Sequence, residues 1–264
     1  MNVIVTGAAS GIGRALVERM LARGHNVLAG DVDVVGLAAL PAQASLCTHV
    51  FDVRDAGAWQ SAVRVCGERF GGVDVLANVA GYLRPGYAHE ASAEDAARHI
   101  DVNVKGVIFG AQAVLPQLVA KKSGHIVNIA SLAGLSPVPG LALYSASKFA
   151  VRGYSLSIAA EVRAHGVFVT VICPDAVATP MLELQRDREE AALTFSGAKQ
   201  PLTPKDVVDA FERALVRRPF EIILPGGTRA WLAKIAGAFP GLAVSALGRL
   251  RKKGLKQQET NRRA

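Results

Sequence analysis

Along this chain, short runs of Val, Ile, Leu and Ala alternate with longer stretches of helical periodicity. The short runs are Val3–Val5, Asn26–Ala29, Leu46–Phe51, Val73–Ala77, His125–Ile129, Val167–Cys173 and Phe220–Leu224. They show little polar–apolar alternation, as expected of strands buried on both faces of a parallel sheet. Between them lie Ile12–Arg23, Ala56–Phe70, Ala93–Val119, Tyr144–Ala164 and Pro204–Val216, each long enough to form a helix. The repeating strand–helix order predicts one doubly wound α/β domain with helices on both faces of the sheet. No linker interrupts it. The longest irregular stretch, from Pro174 to about Thr203, follows a strand's carboxyl end, where ligands of such sheets bind. Thr203 then caps a helix opened by Pro204.

Composition supports that picture. The chain has 264 residues, half of them hydrophobic and 20% charged, which suits a single large core and excludes disordered and fibrous classes. Three cysteines and six scattered histidines follow no metal-ligand spacing, so no metal site is expected. Cys47 and Cys173 sit in apolar runs and read as buried thiols, pointing to a reducing cytoplasm. Asn2–Thr6 already reads as a core strand, so no leader is expected, and no uncharged apolar stretch reads as a membrane span. The net charge of +8 is uneven: seven basic residues from Arg249 onward stand against Glu259, a net +6, leaving +2 for the body. That argues against a nucleic-acid-binding face on the body.

The candidate chemistry begins at Thr6-Gly7-Ala8-Ala9-Ser10-Gly11-Ile12-Gly13, between the first strand and the first helix. Glycines there permit a tight turn and close approach of backbone to a pyrophosphate, which the helix amino terminus attracts. Asp31 ends the second strand, 24 residues after Gly7. Its carboxylate suits the adenosine ribose hydroxyls and repels a 2′-phosphate, so NAD is expected over NADP. Asp52-Val53 follows the third strand, where the aspartate either meets the adenine or caps the helix near Ala56. Tyr144 and Lys148 are four residues apart and share one helix face. A nearby ammonium is expected to lower the phenol pKa and prepare it for proton transfer. Ser131 lies 13 residues before Tyr144, past a strand end, where its hydroxyl can hold a substrate oxygen. Asn103 lies in the helix Ala93–Val119, suited to holding a water behind Lys148, and Asn78-Val79-Ala80-Gly81 follows the fourth strand.

Together these residues resemble the short-chain dehydrogenase/reductase family over roughly Met1 to Gly227. Thr6–Gly13 matches its Thr-Gly-x-x-x-Gly-x-Gly turn, and Asn78–Gly81 its Asn-Asn-Ala-Gly element apart from Val79. Asn103, Ser131, Tyr144 and Lys148 match its catalytic tetrad in order and spacing. The resemblance implies one Rossmann-type domain over residues 1–227 with about seven parallel strands in the order 3-2-1-4-5-6-7. It implies an oxidoreductase acting on an alcohol/ketone pair, with Tyr144 as general acid/base. Lys148 would bond the nicotinamide ribose, Ser131 orient the substrate and Asn103 support a proton relay. Gly7, Ser10, Gly11, Ile12, Gly13, Asp31, Asp52, Val53, Asn78, Ala80, Gly81, Pro174, Val177 and Thr179 would meet the cofactor, Thr179 at the carboxamide. Asp175 departs from the family's usual glycine, so backbone strain or a new polar contact is expected there. The resemblance also implies a homodimer or homotetramer paired through the helices Ala93–Val119 and Tyr144–Ala164.

Substrate must enter through Tyr82–Tyr87, Leu132–Leu143 and Met181–Gln200. Leu83, Leu132, Leu135, Val138, Leu141 and Leu143 there favour an apolar or bulky substrate, with Arg84 read as a solvated loop residue rather than an anion anchor. Residues 228–264 form an apolar and basic extension: two short helices broken at Pro240-Gly241, then a basic run. It suits peripheral contact with the inner face of a membrane through 231–256, a cover for the cleft, or a subunit contact. Two non-enzymatic readings stand beside the oxidoreductase: an NAD-binding redox sensor and a membrane-recruited scaffold. An intact tetrad argues against the sensor, and turnover of NAD with a mixed alcohol panel separates all three.

Overall fold

The computed structural model describes residues 1–197 and 200–263. Seven parallel strands form one sheet in the order β3-β2-β1-β4-β5-β6-β7. They are β1 (Asn2–Thr6), β2 (Asn26–Asp31), β3 (Leu46–Val50), β4 (Val75–Asn78), β5 (Gly124–Ile129), β6 (Val167–Pro174) and β7 (Glu221–Leu224). The helices are α1 (Gly11–Ala22), α2 (Val34–Ala38), α3 (Ala56–Phe70), α4 (Ala93–Ile100), α5 (Gly106–Ala120), α6 (Ala142–Val162), α7 (Pro180–Arg186), α8 (Pro204–Arg217), α9 (Thr228–Ala238) and α10 (Pro240–Arg263). Strand ends fall within two residues of expectation.

The lack of polar alternation in the strands now has its cause. Val3 and Val5 point into a core shared with Leu16 and Met20 of α1 and Phe211 of α8. Ile4, between them, points to the other face, against a core containing Trp59 of α3, Leu118 of α5 and Ile158 of α6. Each large apolar side chain buried this way contributes about 1.5–3 kcal/mol. Thr203 caps α8 through a reciprocal box with Asp206, as the Thr-Pro pair predicts.

Four features differ from expectation. The helix over 93–120 is interrupted by a π turn at Asp101–Lys105, which carries Asn103. That helix is also long and apolar enough, by length and composition, to cross a membrane. Its apolarity has a core role: Val107 packs near β5 and β6, while Ala111, Val114 and Leu118 pack against α3 and the sheet. The stretch 174–203 holds α7 and a 3₁₀ run at Glu189–Ser196 rather than being irregular throughout; residues 198 and 199 lie outside those described. Finally, α10 does not stop near Leu250 but continues through the basic run to Arg263. Proline is tolerated at the first helical position, and Arg, Lys, Gln and Glu are good helix formers.

This long helix lies on the body. A methyl group at Gly254 would run into the Ala192 carbonyl, so only glycine permits the contact. Gln258 is buried, and its amide donates to the carbonyls of Gln185 (3.1 Å) and Arg188 (2.9 Å). The side chains of residues 242–247, including Leu242 and Leu247, lie outside those described.

A chain ending at Gly227 should keep its sheet, because β7 is complete by Leu224. Amide exchange across 185–196 should rise at least about tenfold while the strands stay protected. Unchanged exchange in that segment would show that α10 does not hold it.

Candidate active site

A cleft of about 570 Å³ opens at the carboxyl ends of β1, β4, β5 and β6. It lies where the strand order reverses between β1 and β4, so the connecting helices leave to opposite faces of the sheet. Thr6 ties these strand ends together: its hydroxyl oxygen accepts from the backbone N–H groups of Val79 (3.1 Å) and Ala80 (3.2 Å).

One end of the cleft fits a dinucleotide. Gly7 has a left-handed φ of 66°, and a methyl group there would stand 2.9 Å from the Ala80 backbone. A methyl group on Gly13 would collide with the Gly7 carbonyl. Ser10 makes no side-chain cap to α1, and the first turn carries no acidic residue. The amide donors at this helix end therefore face the cleft without a side-chain partner, beside Ser10, Gly11, Ile12 and Gly13. Asp31 sits in the same wall. One carboxylate oxygen accepts from the Ala9 N–H and the other from the Asp33 N–H, both at 3.0 Å, which fixes the group at the strand end. Val53, Ala80, Gly81, Pro174, Val177 and Thr179 also line the cleft.

Asp52 lines the cleft too, but its carboxylate is held by the Arg54 guanidinium at 2.6 Å. That hydrogen-bonded pair pulls its pKa below the ordinary aspartate range, the ion-pair attraction outweighing burial. Asp55, not Asp52, caps α3, accepting from the N–H groups of Gly57 and Ala58.

Asn78 does not face the cleft. Its Nδ2 donates to Asn128 Oδ1 (2.9 Å), Asn128 Nδ2 donates to Ser155 Oγ (2.8 Å), and Ser155 donates to the Val151 carbonyl. Asn78 thus belongs to a buried polar chain joining β4, β5 and α6. The hint was Asn128, a lone amide inside an apolar strand.

At the other end, Ser131, Tyr144 and Lys148 converge on one wall. Lys148 Nζ donates to the Ile129 carbonyl at 2.9 Å and stands 5.6 Å from the centre of the Tyr144 ring. Asn103 is fully buried beside the cleft rather than lining it. Its Oδ1 accepts from the Tyr82 N–H (2.6 Å), while its Nδ2 donates to the Tyr82 carbonyl and to Ser147 Oγ (both 2.9 Å). Ser147 in turn donates to the Tyr144 carbonyl (2.7 Å). Asn103 therefore braces the loop after Gly81 against α6. Ser147, three residues after Tyr144, was missed from the sequence.

Lys148 was expected to lower the Tyr144 pKa, but burial dominates instead. Desolvation pushes the phenol up to about 12, against a lowering hydrogen bond from Ser131. Desolvation also pushes the Lys148 ammonium down to about 8. The ammonium turns toward the Ile129 carbonyl and not onto the phenol; burial keeps the phenol neutral and weakens the ammonium, which still carries its proton at pH 7. The buried Cys173 thiol, itself pushed up to about 12 by burial, lies close to both.

The substrate end is apolar. Leu83, Leu132, Val138, Leu141, Met181 and Leu193 line it, while Leu135 is buried in a neighbouring core cluster and Leu143 does not reach it. Arg84 is no anchor here: it pairs with Asp95 at 3.1 Å outside the cleft. Asp175 shows no left-handed backbone strain. Its carboxylate meets Arg229 of α9 at 3.0 Å, yet its pKa stays above the ordinary value because burial outweighs both the Ala176 N–H and the guanidinium. Among the described residues no cluster of three His, Cys, Asp or Glu side chains could hold a metal ion.

Fold and site together define an oxidoreductase that uses a nicotinamide dinucleotide. The chain belongs to the short-chain dehydrogenase/reductase family, whose short chain dehydrogenase model matches residues 1–190. It is 36% identical over 199 residues to 2-(R)-hydroxypropyl-CoM dehydrogenase of Xanthobacter autotrophicus, covering 71% of this chain and 78% of that protein. It is 36% identical over 218 residues to an NADP-dependent 3-hydroxy acid dehydrogenase of Salmonella typhi, covering 80% and 87%. A short-chain dehydrogenase/reductase from Burkholderia phymatum, solved in complex with NAD, superposes with a TM-score of 0.82 at 29% identity, covering 92% of this chain and 94% of that one.

Lys148 also makes a stability prediction. With its pKa held near 8 instead of 10.5, the folded chain binds fewer protons than the unfolded one between those values. Stability should therefore rise with pH through that window, the cost of the buried ammonium being complete below it. Lys148→Met should be more stable at about pH 7 by about 1–3 kcal/mol and should lose this part of the slope. Thermal melts across the window decide it; equal slopes for both proteins would refute the buried ammonium.

Proposed function

We propose that the chain interconverts an apolar or bulky secondary or primary alcohol with its ketone or aldehyde, using NAD in preference to NADP. The observation that carries the reading is the single wall formed by Ser131, Tyr144 and Lys148, facing an apolar chamber at one end and a glycine-cradled helix end at the other. When bound, the nicotinamide supplies the hydride donor or acceptor. Every other requirement falls to this chain's residues. The Tyr144 phenol, neutral by burial, passes a proton to the substrate oxygen during reduction and takes it back during oxidation. The Ser131 hydroxyl, close enough to pull the phenol's pKa down, orients that oxygen. Lys148 would hold the ribose and, still protonated at neutral pH, place positive charge near the phenol. Asn103 holds the Tyr82 backbone and the catalytic helix in register. Leu83, Leu141 and Met181 keep water from the reacting carbon.

Preference for NAD rests on Asp31, whose fixed carboxylate keeps acceptor capacity for ribose hydroxyls and repels a 2′-phosphate. The chain would act as a dimer or tetramer through α4, α5 and α6; the exposed apolar Ile100 and Phe149 on these elements support that pairing.

Tyr144→Phe should bind NADH nearly as the parent protein does and lose turnover by about 10² or more, because only the proton donor is removed. A panel of sterols, terpenoid alcohols, aryl carbinols and fatty alcohols followed by NADH absorbance supplies the assay. Turnover close to that of the parent protein would end the mechanism.

In the same assay kcat/KM should favour NAD over NADP by about tenfold or more. Asp31→Asn with Ser10→Arg should shift preference toward NADP, since it removes the repulsion, adds a cation and keeps an acceptor for the Ala9 N–H. A parent protein that already prefers NADP would show that Asp31 does not select.

A further inference from the structure

Helix α9 inverts the usual arrangement of a surface helix. Its inner face is built from Arg229, Ala233 and Gly237, spaced four residues apart. Arg229 pairs with Asp175, Ala233 packs against a buried cluster that contains Leu135 and Val171, and a methyl group on Gly237 would run into the Leu135 carbonyl. Small residues therefore seat the helix closely on the body. The large apolar side chains are left outside: Trp231 is 69% exposed, Leu232 59%, Ile235 46% and Phe239 60%. Trp231 and Ile235 are one turn apart, with Leu232 and Phe239 flanking them, so the four form a single ridge. A soluble helix usually buries such a stripe and shows its small or charged residues to water.

The ridge has basic neighbours. Lys253 of α10 donates to the Gly197 carbonyl at 3.4 Å, and a methyl group on Gly197 would stand 3.2 Å from both the Arg229 guanidinium and the Asp175 carboxylate. These contacts meet on the body side of the two helices and bring the middle turns of α10 close to the first turn of α9. Because Gly254 and Gln258 face the body, Arg249, Lys252 and Lys256 fall on the outer face of α10, as Trp231 and Ile235 fall on that of α9. Arg249, Arg251, Lys252, Lys253 and Lys256 are all exposed there.

We propose that this α9 ridge, flanked by the basic turns of α10, is a docking face for an anionic lipid surface. An interfacial Trp and Phe with aliphatic neighbours suit the headgroup boundary, and clustered Lys and Arg suit anionic headgroups. A second copy of the chain fits less well. A two-fold contact through the ridge would bring two strongly basic helices together, whereas an anionic leaflet neutralises them. Docking is peripheral: the break before Pro240 leaves α9 at only 11 residues, too short to span a bilayer. Through Arg229 the docked helix is also tied to the cleft wall at Asp175.

The test is co-sedimentation of the full-length chain with vesicles of phosphatidylcholine alone or mixed with phosphatidylglycerol. Binding to the mixed vesicles should be at least about tenfold tighter and should weaken as salt rises. Trp231→Ser with Ile235→Ser should reduce binding about tenfold or more, as should Arg249→Gln with Lys252→Gln. Both should leave the melting temperature and the sedimentation coefficient without vesicles unchanged. Equal binding to both vesicle types, no binding to either, or retention of binding by both variants would overturn the proposal. So would a Ser variant that changes only the assembly state, which would assign the ridge to a second copy.

Discussion

The molecule depends on the junction between the carboxyl ends of β1 and β4. Two neighbouring parallel strands send their chains to opposite sides of the sheet there, which opens a crevice no side chain is required to fill. The gap would be useless if the strand ends splayed. Thr6 prevents that with one oxygen accepting two successive N–H groups from the β4 turn. The tie explains why Gly7 must be glycine, since the Ala80 backbone is drawn into the space a side chain would need. It also sets the amino terminus of α1 against the crevice. The anion-attracting end of one helix and the polar wall of another then face each other across a fixed span.

The second requirement is polar chemistry inside an apolar body. Two chains of hydrogen bonds meet it on either side of the cleft floor. Asn78, Asn128 and Ser155 link β4, β5 and α6 beneath the site, while Asn103 and Ser147 link the loop after Gly81 to the first turns of α6. Buried amides are costly unless paired, so a network of this kind confines the elements that carry it to one relative position. The π turn at Asp101–Lys105 belongs to the same logic. An extra residue in the helical turn re-aims Asn103 at the Tyr82 backbone, and such bulges tend to mark functional positions. Tyr144 and Lys148 then sit in a wall dry enough to disfavour charge on both.

The sequence was most legible where one local rule acts alone. The strands announced themselves because both faces are buried, and Thr203-Pro204 announced α8 because caps are short-range chemistry. Spacing was also enough to bring Ser131, Tyr144 and Lys148 to one wall of the cleft. Legibility failed where a side chain's direction depends on a partner distant in the chain. Asn78 follows a strand beside the cofactor turn, yet strand alternation points it at Asn128, 50 residues away. Asp52 and Asp55 are equally good caps on paper; Arg54 claims the first and leaves α3 to the second. The direction of the Tyr144 pKa failed for a related reason. Four-residue spacing guarantees a shared face, but not that the ammonium points at the phenol rather than at a strand carbonyl.

The departure at Asp175 and the extension beyond Gly227 are best understood as one feature. A carboxylate at that point of the cleft rim, where the family's glycine places nothing, is half-buried, and a lone charge there would be costly. Arg229, 54 residues later, supplies the counter-charge and a hydrogen bond. It does so from the first turn of α9, which is also seated by the small residues Ala233 and Gly237 and by the Lys234–Glu221 ion pair at 3.2 Å. Neither half explains itself alone: without α9 the half-buried aspartate keeps only the Ala176 N–H as a partner, and without Asp175 the helix has no polar anchor at its start. Helix α10 then closes the arrangement by holding the carbonyls of Gln185 and Arg188 through Gln258. The residues that shape the substrate chamber are thereby gripped from outside by the extension. Because Gln185, Leu193 and Thr194 of the 180–196 segment also line the cleft, its wall there rests on the contacts α10 makes at Gly254 and Gln258.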